Sequence, residues 1–178
     1  MKQVLKGGTV VTGSGSFRED VLIHGEKVVA VGSPEEIERL TDRDTGVVDV
    51  EGCLLFPGFI DAHTHFDLHV AGTVTADDFA TGTKAAVRGG TTTIVDFGTQ
   101  YTGESLADGL RNWHEKADGK CSCDYGFHMS ISDWNPSVSR ELDDMMEEGI
   151  TSFKLYMTYD TQAVSYTHLR AHETLSDL

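Results

Sequence analysis

The stretch GFIDAHTHFDLH, residues 58–69, follows Pro57 directly and holds three of the chain's eight histidines together with two aspartates. Read as a β-strand, its alternate side chains share a face. Asp61, His63, His65 and Asp67 then lie on one side, and Ile60, Ala62, Thr64 and Phe66 on the other. Neutral imidazoles on one strand face can converge on a single ion, at about 2.0–2.1 Å for zinc. H-x-H alone is weak evidence, because alternating histidines on a strand are commonly exposed or hydrogen-bonded. Its place in the chain adds weight: active sites of (β/α) barrels are built at the C-terminal ends of parallel strands.

Outward from this stretch the texture differs on the two sides. Residues 2–55 read as short strands and turns, a small all-β module, with HGEK (24–27) as a hairpin turn. Within it SPEEIERL reads as a short helix, capped by Ser33 and carrying Pro34 at its first position. Beyond Pro57, strands and helices alternate. A helix over 77–88 is expected, capped by Thr75 with Phe79, Thr83, Ala86 and Val87 as its buried stripe. TTTIVDF is a β-branched run typical of a buried parallel strand. A second helix carries Leu106, Leu110, Trp113 and Ala117 at helical spacing, the strand YGFHMSI follows, and a third helix is expected around 140–148. ITSFKLYMTY is the fourth strand. This βαβαβαβ order implies α/β architecture with a parallel sheet and right-handed crossovers, about half of a (β/α)₈ barrel.

Composition narrows the function classes. A formal net charge of −15 with no Lys/Arg run argues against nucleic acid and anionic membrane as partners. No apolar run approaches a transmembrane span, so a cytoplasmic location is expected. The three cysteines, Cys53, Cys121 and Cys123, lack paired zinc-ribbon spacing and read as reduced structural thiols. Residues 164–178 show neither a helical stripe nor a turn and look like translated adapter sequence, a tail foreign to the fold. His168 and His172 within it are given no role, and His69, His114 and His128 read as structural. Asp96, at the end of the second strand, is either a group supporting the site or a capped strand end.

Lys154 is the second chemical signal. In SFKLYM it shares a face with Ser152 and Tyr156, opposite Phe153, Leu155 and Met157. A buried ammonium must pair, lose its proton or be modified. Carboxylated by carbon dioxide, the amine becomes a group able to bridge two metal ions about 3.5–4 Å apart.

GCLLFPGFIDAHTHFDLH, GTVTADDFATGTKAAVRGGTTTIVDF and GITSFKLYMTY, in this order, resemble the dihydropyrimidinase/D-hydantoinase branch of the cyclic amidohydrolase superfamily. The likeness runs from residue 2 to about 163. It implies the N-terminal part of a flanking β-sandwich (1–55) and the first half of an amidohydrolase TIM barrel (56–163). It further implies His63 and His65 as ligands of the more buried metal, and Lys154 as the carboxylated bridge between two divalent ions, with zinc as the expected metal. Tyr159 would hydrogen-bond the substrate carbonyl oxygen and steady the oxyanion. Asp67 stands where dihydroorotase-like relatives carry arginine, which points to uncharged cyclic ureides. The implied reaction is hydrolytic opening of a dihydropyrimidine or hydantoin ring to an N-carbamoyl amino acid, in a homotetramer. Two more histidine ligands and a proton-shuttling aspartate would come from later strands, so the 178-residue chain by itself is expected to be inactive. Allantoinase-type hydrolases and non-catalytic dihydropyrimidinase-related assembly proteins are the alternatives.

Overall fold

A computed structural model describes residues 1–156, in two compact units that divide after Pro57. Tyr159, His168, His172 and the tail 164–178 lie outside the described residues.

The first unit is β-rich. Strands β1 (Lys2–Lys6), β2 (Thr9–Thr12), β3 (Gly15–Arg18), β4 (Asp20–His24), β5 (Lys27–Gly32), β6 (Gly46–Asp49) and β7 (Leu54–Leu55) form two sheets, β5-β4-β1-β6 and β3-β2-β7. Helix α1 (Pro34–Glu38) has the expected cap: Ser33 accepts from Glu36 N while the Glu36 carboxylate accepts from Ser33 N at 3.0 Å. Val4, Leu22 and Ile37 make a small core under it.

The second unit contains β8 (Phe59–Thr64), the two-residue strands β9 (His69–Val70) and β10 (Thr73–Val74), α2 (Phe79–Arg88), β11 (Thr91–Thr99), α3 (Leu106–Ala117), β12 (Asp124–Ile131), α4 (Pro136–Glu147) and β13 (Phe153–Leu155). Its main sheet is parallel in the order β8-β11-β12-β13, so each βαβ step advances by one strand. That winding is the first half of a (β/α) barrel. The helices cover one face, where Phe79, Ile94, Leu106, Leu110, Trp113, Phe127, Met129 and Val138 form the core.

Three local details differ from the sequence-based expectation. Asp78, not Thr75, caps α2, accepting from Thr81 N at 2.8 Å. Thr75 instead pairs with Leu68, because the β9–β10 hairpin intervenes and places Thr75 on its return leg. The buried face of α2 is Phe79, Gly82 and Thr83, while Val87 is exposed. Helix α4 starts at Pro136, well before residue 140, because Asn135 caps it and Pro136 suits its first turn. Among the described residues no helix is long and apolar enough to cross a membrane.

Helix α3 matches its expected stripe, with Leu106, Leu110, Trp113 and Ala117 all buried. Ser105 caps it, accepting from Asp108 N at 3.0 Å and donating to the Asp108 carboxylate at 2.6 Å. Replacing Ser105 with Ala removes both bonds. Chemical denaturation of the Ser105→Ala protein should show a loss of about 1 kcal/mol.

Candidate metal centre

The sheet face away from the helices carries the chemistry. β8 presents His63 there and His65 follows just past the end of the strand, and their Nε2 atoms stand 3.2 Å apart. Two nitrogens bound tetrahedrally to one zinc ion would be about 3.3 Å apart, given Zn–N bonds near 2.05 Å. The pair therefore fits two ligands of a single ion. Beneath both rings lies Phe97 of β11, its centroid 4.6 Å from that of His63 and 5.0 Å from that of His65. Lys154 of β13 reaches over the same ring, with Nζ 4.4 Å from its centroid and 5.1 Å from that of Tyr156. An ammonium over an aromatic face is stabilised by the ring quadrupole. Thus Lys154, distant in the chain from His63 and His65, joins them around one phenyl ring.

The electrostatics suit metal binding. Burial pushes the His65 pKa down, and the positive charge of Lys154 and the neighbouring His63 push it further, against an opposing pull from Asp96. The neutral imidazole that results is the form that ligates metal. His65 Nδ1 is buried and has no hydrogen-bonding partner among the described residues. Among those residues no third histidine, cysteine or carboxylate joins the pair.

Of the two aspartates of the opening stretch, only Asp61 lies within the strand, where it accepts from the His63 N–H at 3.1 Å. Strand β8 ends at Thr64, and Asp67 adopts a left-handed conformation at φ 47°. Alternation stops with the strand, and an aspartate tolerates that backbone better than most residues. The carbonyl of Asp67 accepts from Lys116 Nζ of α3 at 2.6 Å, and its carboxylate lies 3.6 Å from the same amine.

His128 faces this site. It bonds Ser152 Oγ through Nδ1 and the Ala62 carbonyl through Nε2 at 3.0 Å, and its ring centroid is 4.7 Å from that of Phe97. It braces β8 and the segment before β13 across the sheet, as a structural histidine would. Phe97 is the feature that sequence reading missed. The signal was present: alternation through TTTIVDF puts Phe97 and Asp96 on opposite faces, but an unbroken β-branched run hides which face is which.

Asp96 points the other way, into the helix-covered core, and is fully buried. It accepts from Thr64 Oγ1 at 2.7 Å, Phe66 N at 2.9 Å and Trp113 Nε1 at 3.0 Å. Burial pushes its pKa up, and the three donors oppose that rise.

The sequence profile of the amidohydrolase family matches residues 54–175. The chain belongs to the amidohydrolase family. It is 46% identical over 158 residues to the D-hydantoinase of Streptomyces coelicolor, and 43% identical over 159 residues to the dihydropyrimidinase of Dictyostelium discoideum. These alignments cover 89% and 88% of this chain but only 34% and 30% of the relatives, so the chain spans about a third of their length. Among solved structures, the dihydropyrimidinase from Brevibacillus agri NCHU1002 superposes with a TM-score of 0.86 at 49% identity, covering 96% of this chain and 37% of that one. The amidohydrolase TIM barrel expected from the motifs is therefore the fold of this chain's second unit, in its first half.

One packing contact in this half-barrel bears directly on the histidine strand. A Cβ on Gly82 of α2 would sit 2.3 Å from Cε1 and 2.5 Å from Cζ of Phe66, the residue after His65. Gly82→Ala must displace that ring, and overpacking of this kind costs about 1–3 kcal/mol. Thermal unfolding should show the loss, while Ala at Gly126, whose Cβ would meet nothing within 4 Å, should be far milder.

Proposed function

We propose that this chain carries part of the active site of a metal-dependent cyclic amidohydrolase that opens a dihydropyrimidine or hydantoin ring to an N-carbamoyl amino acid. The observation that carries this reading is the convergence of His63 and His65, at 3.2 Å between Nε2 atoms, beside Lys154 over a shared aromatic ring. His63 and His65 would hold one divalent ion, zinc by the chemistry of the donors. Lys154, carboxylated, would bridge it to a second. Ions so held lower the pKa of water and polarise a carbonyl.

The remaining work falls to the chain. Phe97 walls the site from below and lowers the local dielectric, which strengthens every charge interaction above it. Neutral His65 keeps its lone pair for the metal. Tyr159, outside the described residues, would donate to the carbonyl oxygen of the substrate as negative charge develops there. Asp67, tied to Lys116, offers no cation for a substrate carboxylate, which favours an uncharged ureide. Other metal ligands and a proton-shuttling acid would come from the length that the relatives have and this chain lacks. The relatives' names, D-hydantoinase and dihydropyrimidinase, agree with this substrate class. A homotetramer is the assembly proposed for the full-length form.

The test uses a full-length protein carrying these residues. Ring opening of hydantoin and of dihydrouracil should be measurable, should vanish after chelation and should return with zinc. His63→Ala should lower kcat/KM at least about a thousandfold, since metal stabilisation of developing charge is worth several kcal/mol. Hydrolysis that survives complete metal removal, or no turnover of either ureide, would sink the proposal.

A further inference from the structure

Strand β8 loses regular pairing at the point where its histidines are needed. The β8–β11 ladder shifts register between Ile94 and Asp96, next to the end of β8 at Thr64. Backbone pairing alone therefore does not hold the chain around His65. A side chain does: Thr64 Oγ1 and Phe66 N, on the residues either side of His65, both donate to the same Asp96 oxygen, Oδ2. The other oxygen, Oδ1, accepts from Trp113 Nε1, and Trp113 is fully buried in the helix layer. Asp96 thus ties both flanks of His65 to a rigid part of the core.

We infer that Asp96 is the positioning residue of the metal centre, fixing the direction of the His65 imidazole through Thr64 and Phe66 without itself touching the ion. The inference rests on the reading that His63 and His65 hold a metal. Groups that orient a ligating histidine from behind change metal affinity about 10–100-fold when removed.

The chemistry of the carboxylate makes a specific substitution informative. Asp96 faces donors through both oxygens, and two of them, Phe66 N–H and Trp113 Nε1–H, cannot become acceptors. Asparagine has one acceptor and one donor end, so Asp96→Asn always sets an N–H against an N–H. Trp113→Phe takes away the donor on one side. In Asp96→Asn/Trp113→Phe the amide oxygen can again receive Thr64 and Phe66, with its NH₂ facing an aromatic ring.

The experiment titrates cobalt(II) into the metal-free full-length protein and reads both the dissociation constant and the visible absorption band, which reports ligand geometry. Thermal unfolding of the metal-free forms checks folding separately. Asp96→Asn should weaken binding about 10–100-fold and alter the band. The double variant should recover most of the affinity and the original band, although Trp113→Phe lowers its melting temperature. Thr64→Val, which keeps shape and deletes one donor, should weaken binding about fivefold. Should Asp96→Asn not fold, Thr64→Val carries the test. Unchanged affinity and spectrum in the folded variants, or no recovery in the double variant, overturns the inference while leaving the metal reading intact. An unsubstituted protein that takes up no cobalt, or a His63→Ala protein that binds it equally well, overturns the metal reading and this inference with it.

Discussion

The buried carboxylate of Asp96 is the point on which the second unit's architecture turns. Removing a carboxylate from water costs several kcal/mol unless hydrogen bonds replace its hydration. Here three donors do so, from the end of β8, from the segment after it and from the middle of α3. The result is a polar junction inside an otherwise apolar layer of Ile94, Leu110, Trp113 and Met129. An apolar residue at position 96 would suit that layer as well or better, but would leave the Phe66 N–H and the Trp113 indole without acceptors. The same helix also reaches forward through Lys116 to the Asp67 carbonyl, so the whole turn after His65 is referred to α3.

One residue further along β11, the chain faces the opposite way, and Phe97 does for the open face what Asp96 does for the covered one. It touches His63, His65 and His128 and lies under the Lys154 amine. An apolar plate beneath titratable groups has two effects. It limits the hydration of His65, which favours its neutral imidazole, and it strengthens the repulsion that Lys154 exerts on that ring. The aromatic face also gives the lysine some stabilisation in return, which helps to keep a long flexible side chain over the site.

The first unit contrasts with this. Its core rests on Val4, Leu22 and Ile37, while Val28, Val29, Val31, Val47, Val48 and Leu54 stay exposed within the chain. Two small sheets with so little buried apolar area gain limited stability from packing. Caps and side-chain bonds matter more there, as in the reciprocal Ser33–Glu36 box and the buried Asp20 carboxylate that accepts from Gly7 N at 2.8 Å.

Element order and type were legible in the sequence because they depend on local periodicity. The α3 stripe, the Ser33 cap and the TTTIVDF strand are each specified within a few residues, and His63, His65 and Lys154 stood out because ligand-type groups alternate with apolar ones around them. Local pattern failed where tertiary contacts prevailed. Thr75 lost its cap to a hairpin, Val87 turned outward, and Asp67 left the histidine face because the strand ended three residues earlier. By itself, then, the sequence determined the βα alternation and the candidate ligands His63, His65 and Lys154, since propensity and spacing act along the chain. Only the tertiary structure decided that Phe97 lies under the histidines and the lysine, and that Asp96 clamps both flanks of His65. Those relations depend on the pairing of β8, β11, β12 and β13 and on the seating of α3, and contacts between residues 17 or more positions apart leave no local signature.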